Sequence, residues 1–583
     1  MNTIHLIQQA YKDFQNGNAG HAELSLKNIL KSQPENFDAL HILGVICAAT
    51  GKKNEAMQLF GQALAQDGKN VSLHYKLARV QFESGQFEAA LGAYEKIIAL
   101  GYIKPEILLA KAVALINLQH HREALDCIDQ ALSKWPDYAD GWSHKGSILY
   151  QLGQFEEALH CFEQALSLQP ATADSWYKKG LALDKLARYT DALASLDRAI
   201  ALVPKSAAYW LDRAVILHKL ERYAESLSDN ETGLALAPDN AEAWGDHGLT
   251  LSRMKRHQQA LASYQRALGL RDEYADVLSN QSLSQLVLGQ FESGWQSYEY
   301  RWKKGNADFR RHTEIPLWLG QPAISGKRIL LWSEQGLGDT IQFCRYAALV
   351  AALGAEVVLE VDPALKTIAQ TMGDFKVIAI GERYAPVDYQ TPLMSLPLVF
   401  KTDLTSIPAS PSYFKADSEK QESWRKRQDF ANGKLKIGLV CSGNAGNTND
   451  HRRSAPLQEF APLLQLDGAD FFLLQTDVRD ADQLFCQRTP QLKLVANDIS
   501  DFDDTAAIIA NLDLVISVDT SVAHLSGALG VPVWILLPWV PDWRWLLDRE
   551  DSPWYPSARL FRQNRAGDWQ GVMERVTSAL NDF

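Results

Sequence analysis

Residues 139–170 read ADGWSHKGSILYQLGQFEEALHCFEQALSLQP, and their spacing decides the architecture of the first half of the chain. Trp142, Gly146 and Leu149 stand three or four apart, on one face of a helix, and Ala158, Phe162 and Ala165 repeat that spacing on a second helix. Gly153 breaks the chain between the two, and Pro170 closes the unit. Small residues at 146 and 158 let the helices approach, while the larger ones fill the gaps. The small residue at 158 recurs at Ala22, Ala56, Ala90, Ala124, Ala192, Ser226, Ala260 and Gly294, in steps of 34 residues. Pro34, Pro136, Pro204 and Pro238 keep the same beat, as do Trp142, Trp176, Trp210 and Trp244. One helical pair cannot bury its apolar face alone, so a strict period of this kind predicts an α-solenoid of stacked pairs. Such stacks present long surfaces that hold other polypeptides.

Composition narrows the partners. At 583 residues the chain exceeds what one core supports, and 46% hydrophobic with 22% charged residues is ordinary for a soluble globular protein. A formal charge of −12 without a basic stripe argues against nucleic acid as the partner. The six cysteines, Cys47, Cys127, Cys161, Cys344, Cys441 and Cys486, have no metal-ligand spacing, and reduced thiols with no metal site are expected. The opening residues Met1-Asn2-Thr3-Ile4-His5-Leu6 have neither a charged nor an apolar export region. The apolar stretch 531–537, with Pro532 inside it and Pro538 after it, is too short for a bilayer span. The expectation is a soluble, cytoplasmic protein with no membrane insertion.

The columns Trp, Gly, Ala, Phe, Ala and Pro resemble the tetratricopeptide repeat over residues 1–301, with partial first and ninth copies. The ninth supplies 289–295 and leaves the pattern at Arg301-Trp302. In this repeat the tryptophan column packs helices. The groove then offers Asp140, Ser143, Ser147, Asp174, Tyr177, Asp212, Glu242 and Asp246, a mixed polar and acidic face for a protein acceptor. O-linked N-acetylglucosamine transferases carry an asparagine ladder in such a groove. The matching column here is Ala110, His144, Lys178, Asp212, Asp246 and Asn280, so that grip on peptide backbone is not expected.

After an aperiodic connector at 302–326, read as a fixed joint, the pattern changes. Arg328-Ile329-Leu330-Leu331-Trp332 reads as a strand, Gly336-Leu337-Gly338-Asp339 as a loop, 340–353 as a helix and 355–361 as the next strand. The cycle restarts with strands at 436–440, 471–474, 514–518 and 533–537, and helices near 457–464 and 506–511. A charged, helix-prone bridge at 418–430 joins the cycles. This grammar predicts an α/β fold with two Rossmann-like units, 327–417 and 418–583.

Gly338-Asp339, and the ordered stretch 517–532 (SVDTSVAHLSGALGVP), resemble the heptosyltransferase group of GT-B glycosyltransferases. The arrangement with its repeats is similar to bacterial repeat-fused glycosyltransferases, flagellin-modifying ones among them. The resemblance implies a GT-B-like fold and a nucleotide-sugar donor bound by the second unit. It implies an inverting, metal-independent transfer to Ser or Thr hydroxyls of a protein, with no cofactor beyond the donor. It makes Asp339 the residue that accepts the acceptor's proton.

The residues support that chemistry on their own terms. Asp519 ends a strand and can cap the next helix, and Thr520, Ser521 and Val522 place amides and hydroxyls at a positive helix end. That is an anion site for the leaving phosphate, worth about 0.3–1 kcal/mol from the dipole and more from hydrogen bonds. His524, one turn along, can donate to the same phosphate. Gly336 and Gly338 put Asp339 in a tight loop at a strand end, where a carboxylate serves either as general base or as a helix cap. The loop with Ser442, Asn444, Arg452 and Arg453 suits phosphate or carboxylate, with arginines where heptosyltransferases place a lysine. UDP, ADP, GDP and CMP carriers all stay open. The tryptophans at 534, 539, 543, 545 and 554 either stack on ligand or pack the two lobes. Two further readings stand beside transfer to protein: a glycan or lipopolysaccharide acceptor, and a non-catalytic scaffold.

Overall fold

A computed structural model describes residues 3–305 and 310–583, which divide into two compact units, Met1–Pro238 and Asp239–Phe583. Met1 and Asn2 of the opening segment, and 306–309 of the connector, lie outside the described residues.

In the first unit, helices run in pairs from Thr3–Gln15 to Tyr223–Leu236. The pair Ala139–Gln151 and Phe155–Leu168 explains the columns. A Cβ on Gly146 would lie 2.7 Å from Phe162, so the ring occupies the space that the glycine leaves. The indole N–H groups of Trp142, Trp176 and Trp210 donate to the carbonyls of Pro136, Pro170 and Pro204, each at 2.8 Å. Tryptophan and proline share one beat because each indole ties the turn that precedes its own helix. Between the helices of a pair one residue takes a left-handed conformation, with φ of +78° at Gly153. Gln119, Ala187 and Glu221 hold that position at φ of 65°, 56° and 60°, so stacking imposes the turn even on residues with a Cβ.

The second unit begins with Ala241–Arg253, His257–Leu270, Ala275–Val287 and Phe291–Tyr298, so the end of the repeat array belongs to the same body as the sheets. The first sheet contains β1 (Arg328–Trp332), β2 (Glu356–Val361), β3 (Lys376–Ala379) and β4 (Tyr389–Pro392), in the order β3-β2-β1-β4. The second contains β5 (Leu435–Val440), β6 (Ala469–Leu473), β7 (Leu492–Leu494), β8 (Leu514–Val518), β9 (Val533–Leu537) and β10 (Ala558–Arg562), in the order β10-β9-β8-β5-β6-β7. Every ladder is parallel, with Ile329 opposite Val357 and Ile437 opposite Leu514. β8 and β9 are buried along their whole length, which is why they read as unbroken apolar runs. The chain reverses its winding between β1 and β4, and again between β5 and β8. In open α/β sheets, ligands bind beyond the strand ends at such reversals.

Three helices differ from expectation. The helix expected at 340–353 is two, Leu337–Phe343 and Tyr346–Ala352. Between them stands buried Arg345, whose guanidinium donates to the Trp554 carbonyl at 2.7 Å and the Tyr413 hydroxyl at 2.9 Å. The segment 457–464 forms two short 3-10 turns, Leu457–Phe460 and Leu463–Gln465. Pro462 lies between them and lacks the N–H that a continuous helix needs. The helix expected at 506–511 starts earlier, as Phe502–Ile509, because Asp501 accepts the N–H groups of Asp503 and Asp504 at 2.9 Å.

Candidate functional site

The loop after β1 carries Gly336, Gly338 and Asp339 into the first turn of Leu337–Phe343. Asp339 Oδ2 accepts the Gly336 N–H at 3.2 Å, and Oδ1 accepts Nη2 of Arg544 at 2.5 Å. One oxygen therefore steadies the helix start, and the other meets a cation from the segment after β9. The Asp339 side chain keeps 21% of its surface exposed, against 9% for Arg544.

Across from it, Thr520 is the N-cap of Ser521–Leu529, in extended conformation and with no side-chain cap bond. Its hydroxyl instead meets Ser517 Oγ at 3.0 Å. The first amides of a helix have no partner within it, and here Ser521 and Val522 stand partly exposed. Asp519 does not cap this helix. Its carboxylate accepts the Trp545 indole N–H at 2.9 Å and faces Nε2 of His524 at 3.7 Å, because a buried carboxylate takes the nearest donors. Burial works against its ionisation, but His524, Arg544 and Trp545 outweigh that and hold its carboxyl below the usual range.

His524 is buried, with Nδ1 at 2.8 Å from the Tyr555 hydroxyl and its ring stacked on Trp545. Burial, above all, pushes its pKa down, which favours a neutral ring. Both nitrogens therefore face protein groups behind the turn. A Cβ on Gly338 would come within 2.8 Å of His524 Cδ2. The glycine loop of the first sheet thus lies directly on the helix that follows β8.

The loop after β5 completes the arrangement. Arg453 Nη1 donates to the Asp519 carbonyl at 3.1 Å, which puts its guanidinium beside the start of Ser521–Leu529. Arg453 reaches that place across Gly443, where a Cβ would lie 2.5 Å from Nη2. Ser442 is buried and exchanges two bonds with the Gln475 amide, at 3.1 and 2.6 Å. Asn444 Oδ1 accepts the Gly446 N–H at 2.8 Å, and Arg452 Nη1 donates to Asn449 Oδ1 at 3.2 Å. The structure thus gathers Asp339, Gly338, Arg453, Asp519, Thr520 and His524 around the reversal between β5 and β8, while Asn444 bonds within its own turn.

The tryptophan-rich segment packs the protein. Trp545 and Trp554 are fully buried, Trp543 packs on Phe343 and Trp295, and Trp534 packs on Phe561. Trp539 carries the Lys255 ammonium over its ring at 3.9 Å.

One buried network carried no sequence signal. Arg301, just past the last repeat helix, donates to both oxygens of Glu334 at 3.0 Å and to Ser395 Oγ at 2.8 Å. Gln335 Nε2 donates to the Tyr298 hydroxyl at 3.0 Å. Burial pushes the Glu334 carboxyl up to about 7, with Arg301 pulling the other way. Glu334 and Gln335 precede the glycine loop, so the end of the repeats braces the segment that carries Asp339. Arg301 stands where the period lapses and Glu334 inside an undistinguished polar turn, so neither spacing nor motif links them.

Comparisons with known proteins bear mainly on the repeats. The family model described as tetratricopeptide repeat matches residues 7–71, 109–158, 145–207 and 177–241, and further models of that description match 49–102 and 241–274. Protein FlbA of Caulobacter vibrioides is 28% identical over 323 residues, 51% of this chain and 54% of its own length. Tetratricopeptide repeat protein 8 of Caenorhabditis elegans is 28% identical over 122 residues, 21% of this chain and 24% of its own. The match therefore spans about half of the first relative and a quarter of the second. Among solved structures, YrrB, described as a TPR protein with an unusual peptide-binding site, is 19% identical. It covers 34% of this chain and 97% of its own, with a TM-score of 0.28. Among the described residues, no helix is long and apolar enough to cross a membrane. The chain carries tetratricopeptide repeats, followed by an α/β half built on two parallel sheets.

Proposed function

We propose that this protein is a GT-B glycosyltransferase that moves a sugar from a nucleotide-sugar to Ser or Thr hydroxyls of a protein held by the repeats, flagellin being one such acceptor. In this reading the second sheet binds the donor, with its phosphate against the amides of Ser521 and Val522 and the Arg453 guanidinium. Asp339 takes the proton from the acceptor hydroxyl. That oxygen bonds to the anomeric carbon as the bond from carbon to the phosphate oxygen breaks, with inversion. Helix end and guanidinium stabilise the departing charge, so no divalent ion is assigned a part. His524 braces Asp519 and the turn from behind.

The observation that carries the reading is the convergence of Arg453 on the Asp519 carbonyl at 3.1 Å with the seating of Gly338 against His524. An anion site and a carboxylate then share one reversal point, as transfer requires. Arg544 pairs with Asp339 at 2.5 Å and orients its carboxylate. Each carboxylate oxygen retains a lone pair for an incoming hydroxyl. Co-expression with flagellin tests the proposal. Intact mass should rise by a sugar with the wild type and stay unchanged with Asp339→Ala. An adduct that persists in Asp339→Ala removes the assignment of the base.

A further inference from the structure

A pocket of about 260 Å³ opens among the repeat helices of the first unit, below the roughly 300–1,000 Å³ usual for whole small molecules and suited to one side chain. Phe82, Tyr94 and Tyr138 supply its rings, from Val71–Glu83, from Phe87–Ala99 and from the residue that precedes Ala139–Gln151. Leu109 and Val113 of Pro105–Asn117 give it an aliphatic wall, with Glu106 and His144 among its polar lining.

Beside the tyrosine hydroxyls, Glu106 and the neutral His144 ring present acceptors to this place. His144 Nδ1 lies 2.8 Å from the Asp140 carbonyl, so that nitrogen carries the proton. In the neutral ring Nε2 is then an acceptor. Glu106 and Asp140 are exposed and, among the described residues, have no ion-pair partner. Both reach the same place: after burial, Asp140 and then Glu106 push the Tyr138 hydroxyl up to about 12. Two lysines of these helices are engaged elsewhere, Lys111 with Glu95 at 3.0 Å and Lys145 with Asp129 at 2.6 Å.

Ring faces, a free carboxylate and an aliphatic wall together match a long cationic side chain, whose stem packs while its head meets the rings and the acid. We propose that this pocket receives a lysine or arginine side chain of an extended polypeptide. Its neutral isostere gains the wall but leaves Glu106 unanswered. Tyr94 and Tyr138 line it with their rings, and Glu106 sets the sign of the charge admitted. This goes beyond the transferase reading and stands apart from it, since the readout is binding with no nucleotide-sugar present.

A displayed random dodecapeptide library, panned on the full-length protein, tests it. The wild type should enrich lysine or arginine at one position, and Glu106→Gln and Val113→Trp should each abolish that enrichment. Glu106 is exposed, so its variant keeps the test valid if Val113→Trp fails to fold. A selected peptide made with norleucine in place of lysine should bind about tenfold more weakly, about 1.4 kcal/mol. Norleucine binding as tightly as lysine, enrichment of apolar or acidic residues, enrichment that survives Glu106→Gln, or recovery of no peptide would each overturn the assignment.

Discussion

The carboxylate of Asp339, in the first turn of the helix after β1, and the guanidinium of Arg544, from the segment after β9, meet at 2.5 Å and tie the two sheets of the second unit together. Arg544 Nη1 also lies 3.1 Å from Asp542 Oδ1; burial works against its charge, but Asp542, Asp339 and Asp519 outweigh that and raise its pKa. Arg544 thus serves three acids supplied by separate segments.

Removing the cation should cost more than removing one acid. Arg544→Met strands partly buried carboxylates and should destabilise the second unit by about 3–5 kcal/mol in urea unfolding. Asp339→Asn should cost less, and the double variant should recover part of the loss, a non-additive cycle. Strict additivity would show that the pair is not energetically coupled.

Gly338 is the point of closest approach between the glycine loop and the helix after β8. Gly338→Ala places a methyl 2.8 Å from His524, and overpacking of this kind costs about 1–3 kcal/mol. Melting temperature should fall in Gly338→Ala, whereas Gly336→Ala, whose Cβ meets nothing nearer than Asp339 Oδ2 at 3.5 Å, should melt near the wild type. Equal effects of the two would deny the special contact.

Gly443 permits the path of Arg453. A Cβ there would lie 2.5 Å from Arg453 Nη2 and 2.7 Å from Oδ1 of buried Asp450, so Gly443→Ala should displace the guanidinium and shift the Asp450 carboxylate with it. Donor affinity measured by calorimetry should fall as it does in Arg453→Ala, by about 1.5–3 kcal/mol, the worth of a charged hydrogen bond. A Gly443→Ala protein with unchanged affinity would place Arg453 outside the donor site.

His257 should shape the acid limb of stability. Its ring is buried, Nδ1 lies 3.2 Å from Ser284 Oγ, and burial followed by Lys255 lowers its pKa from 6.5 to about 4. The native state therefore resists protonation that the unfolded chain accepts. The stabilising contribution is complete above pH 6.5 and is lost as pH falls toward 4, by about 3 kcal/mol at most. His257→Gln should flatten the unfolding free energy across that interval, and an unaltered slope would contradict the assignment.

The repeats were legible because their physics is local and periodic: Gly146 under Phe162, and Trp142 tied to Pro136, recur in fixed steps. The central strands were legible too, since burial leaves apolar runs such as Leu514–Val518, but the short or outer strands Lys376–Ala379, Tyr389–Pro392, Leu492–Leu494 and Ala558–Arg562 were not. Breaks were harder to read. The interruption at Arg345 depends on a carbonyl of Trp554, 209 positions away, and the 3-10 turns around Pro462 needed that proline weighed against the apolar pattern. Within the site, Thr520 and Arg453 followed from strand ends and residue type. Arg544 as partner of Asp339, and Arg301 as partner of Glu334, join segments with no shared motif, and only folding brings them together.

The measurement closest to the central claim is a thermal-shift panel of UDP-, ADP-, GDP- and CMP-sugars on the wild type, Arg453→Ala and Thr520→Ala. The account predicts that at least one nucleotide-sugar raises the melting temperature of the wild type, and that Arg453→Ala abolishes the shift while Thr520→Ala diminishes it. Stabilisation of the wild type by none of them, or a shift that both variants retain in full, would contradict it.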